Sequence, residues 1–271
     1  MVCAGPHPGH RLSGSPVFAS DCMIHVRQLT KSYPDLQRGR FVAVDGISLD
    51  AMPGQVFGLL GPNGAGKTTV LRMLATVLRP TSGQVTVNGF DLVRQAGQVR
   101  RQIGFVSTNT AIYDRMSGWE LVEFFGRLNG LPLDLLHPRM EVLFERFQMN
   151  HYRDVPGSQM STGMRQKVSI ARALIHDPPV LVFDEATSGL DVLAAREVLA
   201  TVEQLRDEGK CVLFSSHIMS EVKRICDRMA IMHEGKILAH GTMDELGHRY
   251  GETELEELFH GLLSNQLQGA S

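Results

Sequence analysis

The 271-residue chain balances 27 Lys+Arg against 29 Asp+Glu, a formal net charge of −2, and 43% of its residues are hydrophobic. That apolar content supports a sizeable core and excludes a disordered chain or a disulfide miniprotein; at roughly 150 residues per domain the length suits one large or two small domains. No run reaches the roughly 18 apolar residues of a spanning helix, and the near-neutral charge argues against a protein that holds nucleic acid through bulk basicity.

Residues 1–22 are rich in Gly, Pro, Ser and His and lack a compact apolar stretch, so they read as a disordered extension rather than a secretory signal. Patterning begins at Met23, where the natural start is a candidate. Ile24-His25-Val26-Arg27-Gln28-Leu29 alternates apolar and polar residues, as do 41–44 and 47–49, which predicts antiparallel strands. The apolar run 56–60 then leads through a glycine-rich turn into helical spacing over 69–75. A hairpin signal spans 83–89, and 103–106 is a short strand. From about 110 to 175 helical periodicity dominates, with Leu121, Phe124, Phe125 and Leu128 at helical spacing, and predicts a helical lobe. Beyond it, strands at 180–183 and 211–214 alternate with helices over 192–205 and from Met219, and a hairpin follows at 229–238. The tail 241–271 carries Leu255, Leu258, Phe259 and Leu262 on one face of an amphipathic helix whose polar face is acidic, which fits core or dimer packing better than membrane contact. The fold class expected is α/β, a mostly parallel core sheet with an antiparallel β subdomain and a helical subdomain. Cys3, Cys22, Cys211 and Cys226 fall in no C-x-x-C or zinc-ligand spacing and suit a reducing compartment.

Two motifs carry chemistry. Gly61-Pro62-Asn63-Gly64-Ala65-Gly66-Lys67-Thr68 fits G-x-x-x-x-G-K-[ST] and stands between strand and helix, where the motif has to stand to work. Its glycines let backbone N–H groups close around a triphosphate, and the helix N-terminus adds roughly half a positive charge. Lys67 reaches the β- and γ-phosphates, and the Thr68 hydroxyl ligates Mg²⁺. The second motif, Val180-Leu181-Val182-Phe183-Asp184-Glu185, is an apolar strand ending in two carboxylates, at the edge where α/β sheets place ligands. Asp184 suits Mg²⁺, and Glu185 suits the general base that polarises an attacking water.

With these motifs in place, the sequence over 24–263 resembles the ATP-binding subunit of an ABC transporter. The distinguishing signature, normally Leu-Ser-Gly-Gly-Gln, stands here as Met160-Ser161-Thr162-Gly163-Met164, with Ser161 and Gly163 in the key slots. A serine hydroxyl and backbone amides opening a helix make a second anion-binding terminus. The resemblance implies that this terminus caps ATP held by another subunit. It also implies that Tyr33 stacks on adenine, that 61–68 and Thr69 bind nucleotide, that Ser188-Gly189-Leu190-Asp191 is the loop crossing the dimer interface, and that His217 contacts the γ-phosphate. The remaining histidines have no such context and read as solvated. ATP and Mg²⁺ are the implied cofactors. The implied partners are a second ATPase subunit, in a homodimer or heterodimer, and a separate integral-membrane permease, with no nucleic acid; the implied location is peripheral, on the cytoplasmic face of the cell membrane. The implied layout is an extension at 1–22, an ATPase domain at 23–240 with its helical subdomain at about 110–175, and a helical tail at 241–271.

Two positions depart from the family pattern: Thr108, with Asn109 beside it, stands in a slot where glutamine is usual, and Ala186 follows the acidic pair where proline is common. Residues 113–117 and 255–259 look most like the exporter branch that includes sodium-extrusion, multidrug and haem-export ATPases. Trp119, Phe124 and Phe125 offer either a docking face for the permease or ordinary core packing. Three rivals remain at this level: a soluble ABC-type ATPase of DNA repair or translation, a P-loop kinase, and a non-hydrolysing regulatory cassette. The first lacks its usual coiled-coil or zinc insertion, the signature and His217 count against the second, and Glu185 with His217 counts against the third.

Overall fold

The computed structural model describes residues 22–35, 39–107, 112–252 and 254–269. Of the features expected from sequence, the 1–22 extension apart from Cys22, and Thr108 with Asn109, lie outside the described residues.

Alternating apolar residues build the first sheet. In β1 (Ile24–Asp35), Ile24, Val26 and Leu29 are buried, and in β2 (Gly39–Ala51) so are Val44, Ile47, Leu49 and Ala51. These strands pair antiparallel, β4 (Ser82–Val87) pairs with the other edge of β1, and β5 (Phe90–Asp91) completes the order β2-β1-β4-β5. Register shifts between Val26 and Leu29 and again up to Ser32 let one long strand keep its apolar residues inward despite a break in period. Tyr33 lies within β1 opposite Phe41.

The second sheet runs β10-β9-β3-β8-β7-β6, formed by β3 (Gln55–Leu60), β6 (Ile103–Ser107), β7 (Val180–Asp184), β8 (Cys211–Ser216), β9 (Arg228–His233) and β10 (Lys236–Gly241); every neighbouring pair is parallel except β9 with β10. Its central strands are covered on both faces, which is why they read as continuous apolar runs. The side-chain period of two splits β7 between layers. Val180 and Val182 join Phe57, Leu59 and helix α1 (Lys67–Leu74) beneath the antiparallel sheet. Leu181 and Phe183 face the opposite core, shared with α3 (Gly118–Leu128), α4 (Leu133–Arg146), α5 (Thr162–Leu174) and α6 (Val192–Asp207).

Helix starts follow local chemistry. Ser117 and Glu120 form a reciprocal capping box at α3, the Ser161 hydroxyl accepts from Met164 N–H at α5, and Asp191 accepts from Leu193 and Ala194 N–H at α6. Helix α2 (Ala96–Gln102) was not legible from the sequence, because it is short and buries only Val99. The tail forms α8 (Met243–Tyr250) and α9 (Leu255–Gly269). Leu255, Leu258, Phe259 and Leu262 all join a core with Leu60, Met229 and Ile231 and with Val222 of α7 (Met219–Ile225), so this face packs within the chain.

Leu258 is 1% exposed in that cluster. Leu258→Ala is expected to cost about 2–5 kcal/mol, the range for a buried leucine that leaves a cavity. Urea denaturation would show it as a lower midpoint at unchanged slope.

Candidate active site

The strand order β3-β8-β7 brings three strand ends together at one edge of the sheet, and each ends in a chemically distinctive residue. After β3 comes the glycine loop, after β7 the Asp184-Glu185 pair, and after β8 His217. The loop's glycines are sterically required at two points. A Cβ at Gly61 would stand 2.3 Å from Met232 O, and Gly66, at φ 101°, would place one 2.7 Å from Ala43 O.

Lys67 opens α1 yet is only 3% exposed. Its ammonium donates to Gly61 O (2.6 Å) and Pro62 O (3.1 Å) and lies 3.3 Å from Glu185 Oε1. His217 Nδ1 is 3.7 Å from that same carboxylate oxygen. Glu185 thus stands between a buried cation and a partly exposed imidazole. Its backbone adopts φ 49°, a left-handed conformation uncommon for a residue with a side chain, and its N–H is held by Ser215 Oγ (3.0 Å) and Ser215 O (3.2 Å). The turn aims Glu185 into the cavity while Asp184 stays behind in the sheet.

Asp184 is 3% exposed, and its Oδ1 accepts from Thr68 Oγ1 (3.0 Å) and Ser215 Oγ (2.9 Å). Burial raises its pKa above the ordinary aspartate value, partly offset by these two hydrogen bonds. An acidic carboxylate beside a threonine hydroxyl, both hard oxygen donors, with one of them paying a desolvation cost for its charge, suits a small divalent cation such as Mg²⁺.

A cavity of about 350 Å³ opens over these groups, lined by Tyr33, residues 62–69 and Glu185, with Phe41 and Ala43 from β2. It gathers most of the residues that sequence reasoning assigned to nucleotide. Gly61 is present through its carbonyl on Lys67, and His217 and Asp184 adjoin the cavity through Glu185 and Thr68. Ser161 and Gly163 are not among its lining residues; they sit at the N-terminus of α5, with Ser161 exposed. Phe41 and Ala43 had no motif to announce them, since their place comes from pairing with β1.

Other expectations need correction. His176, read as solvated, has both ring nitrogens buried, and burial lowers its pKa because the charged form loses hydration, partly offset by the Ile103 carbonyl. His25 is also engaged, 2.6 Å from Asp50 Oδ1. Cys22, His25 and Asp50 bring three ligating atoms together, but Arg27 forks onto both oxygens of Asp50 (2.8 and 2.7 Å) and already neutralises that carboxylate. Trp119 packs inward, edge-on to Phe144 and beneath the Arg153 guanidinium, 3.7 Å from its ring centroid.

Comparison with known proteins agrees with this geometry. Residues 44–188 match the family described as ABC transporter. The ABC transporter ATP-binding protein NatA of Bacillus subtilis (strain 168) is 44% identical over 230 residues, covering 84% of this chain and 92% of that protein. The daunorubicin resistance ATP-binding protein DrrA3 of Streptomyces coeruleorubidus is 38% identical over 227 residues, covering 84% and 70%. A solved ATP-binding subunit of an ABC transporter is 27% identical and superposes with a TM-score of 0.80, covering 89% of this chain and 99% of that one. These similarities favour a transporter subunit over a soluble ATPase of another process. The chain belongs to the ABC transporter family, as an ATP-binding and ATP-hydrolysing subunit built on the family's α/β cassette.

Proposed function

We propose that the chain energises export through a separate membrane permease, hydrolysing Mg²⁺-ATP as one of a pair of subunits. The observation that carries this reading is the placement of Glu185 between Lys67 and His217 at the mouth of the glycine-loop cavity. Tyr33 offers a ring for adenine, the amides of 63–69 and the α1 terminus hold phosphates, and Thr68 with Asp184 holds Mg²⁺, which when bound screens phosphate charge. Glu185 orients and deprotonates the attacking water, and Lys67 and His217 face the charge that develops on the phosphoryl oxygens. Lys67 exchanges its two loop carbonyls for phosphate oxygens, an exchange of like for stronger acceptors.

Pairing is supported by the second anion-binding terminus. Ser161 and the first amides of α5 are not among the residues lining the chain's own cavity, so nucleotide they cap belongs to a second subunit, whether identical or merely homologous. Closure on ATP and reopening after hydrolysis then drive the permease. Among the described residues no helix is long and apolar enough to cross a membrane; the transporter role places the protein on the cytoplasmic face, held by its partner. For docking, a groove of about 740 Å³ runs between the helical lobe and the edge strand β6. It is lined by Phe105, Phe125 and Leu128 with Arg100, Arg101 and Arg172, and no lining residue is acidic. Those features fit a short amphipathic permease segment bearing carboxylates.

Three outcomes test the reading. Glu185→Gln is expected to keep ATP affinity, slow hydrolysis by about 100-fold or more, and accumulate an ATP-dependent dimer in gel filtration. Hydrolysis at the native rate would remove Glu185 as the base. Asp184→Asn is expected to abolish Mg²⁺-dependent turnover while leaving the nucleotide-free protein as stable or more stable. Because folding raises the Asp184 pKa, its contribution to stability is present below the ordinary aspartate pKa and is lost as pH rises through the folded-state value. Thermal melts at pH 7 check this, and a clear loss of melting temperature would contradict it. Leu128→Glu, at a 68% exposed position, is expected to leave hydrolysis by the purified subunit within about twofold. Immunoblots of cell fractions should find it depleted from membranes; native levels there would place docking elsewhere.

A further inference from the structure

Glu221 lies on α7, one turn beyond His217, and is 8% exposed. One of its oxygens, Oε2, accepts two hydrogen bonds, from Ser216 Oγ (2.6 Å) and from Thr187 Oγ1 (3.0 Å). Ser216 immediately precedes His217, and its oxygen also accepts Ile218 N–H (3.0 Å), so the backbone on both sides of His217 is tied to this carboxylate. Thr187 opens the 187–191 segment that leads to Asp191, the cap of α6. Both hydroxyl residues are themselves buried, at 2% and 5% exposure.

A buried carboxyl group is costly, and no Lys, Arg or His among the described residues forms an ion pair with Glu221. An apolar side chain of similar volume would fill the same space at less cost, so packing alone does not account for a hydrogen-bond acceptor here. The chain of contacts continues on the other side of Thr187. Gln166 of α5, 7% exposed, donates from Nε2 to Ala186 O (2.9 Å). An unbroken path therefore runs from the helix capped by Ser161, through Gln166, Ala186 and Thr187, to Glu221, Ser216 and His217, which stands 3.7 Å from Glu185.

We propose that Glu221 is a positioning residue that couples the 187–191 segment to His217, so that engagement of a second subunit by that segment and by α5 sets the position of His217 over the chain's own nucleotide. The proposal rests on the paired-subunit reading above. Glu221 does not touch nucleotide; it acts by holding two loops to one oxygen, and movement of either loop is felt by the other. The coupling needs an acceptor oxygen at this position and does not need a negative charge, because both partners are neutral hydroxyl donors.

The test is steady-state ATP hydrolysis by the purified full chain, with rate followed against ATP concentration for the native protein and for Glu221→Gln, Glu221→Ala, Thr187→Val and the double variant Thr187→Val/Glu221→Ala. Glu221→Ala is expected to lower kcat about tenfold, the scale of one buried hydrogen bond lost at the transition state, and to bring the Hill coefficient towards 1, with KM for ATP changed by less than about twofold. Glu221→Gln is expected to retain most of the rate and the cooperativity, since its amide oxygen accepts both hydroxyls. Thr187→Val is expected to lower the Hill coefficient in the same direction, and the double variant to be no worse than Glu221→Ala. Should Glu221→Ala fail to fold, Thr187→Val and Ser216→Ala interrogate the same link from its two ends. Native kcat and Hill coefficient in folded Glu221→Ala, additive effects in the double variant, or equal impairment by Glu221→Gln would each overturn the proposal. The dimer trap with Glu185→Gln separates the two levels: no ATP-dependent dimer sinks the paired reading and the relay with it, whereas a normal dimer with unaltered Glu221→Ala kinetics sinks the relay alone.

Discussion

The buried carboxylate of Asp184 is the constraint around which the rest of the site is arranged. It ends a strand whose five residues are all buried, and among the described residues its carboxylate is hydrogen-bonded by hydroxyls from two other elements, Thr68 at the start of α1 and Ser215 near the end of β8. Those two bonds fix the phosphate loop and the β8 strand end relative to β7. They also leave the next residue, Glu185, with one way out of the sheet: a left-handed turn whose N–H is held by the same Ser215. The arrangement is costly in the absence of a cation, as the raised Asp184 pKa shows, and that cost is the reason such a site attracts a divalent metal.

From that junction the two faces of the core sheet divide the work. The layer holding α1 and the antiparallel sheet presents the phosphate loop together with Tyr33, Phe41 and Ala43. The opposite layer holds α5, whose N-terminus carries Ser161, and the cationic groove beside Phe125. Within the second layer Arg172, 7% exposed, lies 4.6 Å over the Phe125 ring, and burial lowers its pKa to about 10. It still carries its charge at neutral pH, so the floor of the groove remains positive. The surface proposed to meet a second subunit thus lies on the helical lobe, and the groove proposed to take a membrane partner lies where that lobe meets α2 and the edge strand β6.

Much of this was legible residue by residue. The segment 61–68 could be read as a phosphate loop because its chemistry is contiguous and its flanking strand and helix are local patterns; the structure finds both where periodicity put them. The β7 run, the cap at Ser161 and the apolar face of α9 were readable for the same reason. Helix α2 escaped because a seven-residue helix with one buried side chain has no period to detect. The place of Tyr33 in a strand was not legible because bulges interrupt the alternation on which strand reading depends. His176 gave no sign of its burial because a single histidine carries no pattern at all.

The amino-acid sequence by itself determined the local units, the strands, the glycine loop, the capped helices and the pair of acids, because propensity, period and hydrogen-bonding chemistry act over a few neighbouring residues. Only the tertiary structure decided which of those units meet. Thr68 and Asp184 are 116 positions apart, and Thr187 and Glu221 are 34 apart. Their contacts exist because β8 is inserted between β3 and β7, and strand order in a parallel sheet is settled by how helices cover its two faces, not by any single segment. The carboxylate of Glu221 makes the point most sharply: as a residue in a short helix it carries no signal, and as the shared acceptor of two loops it becomes a candidate link between nucleotide sites.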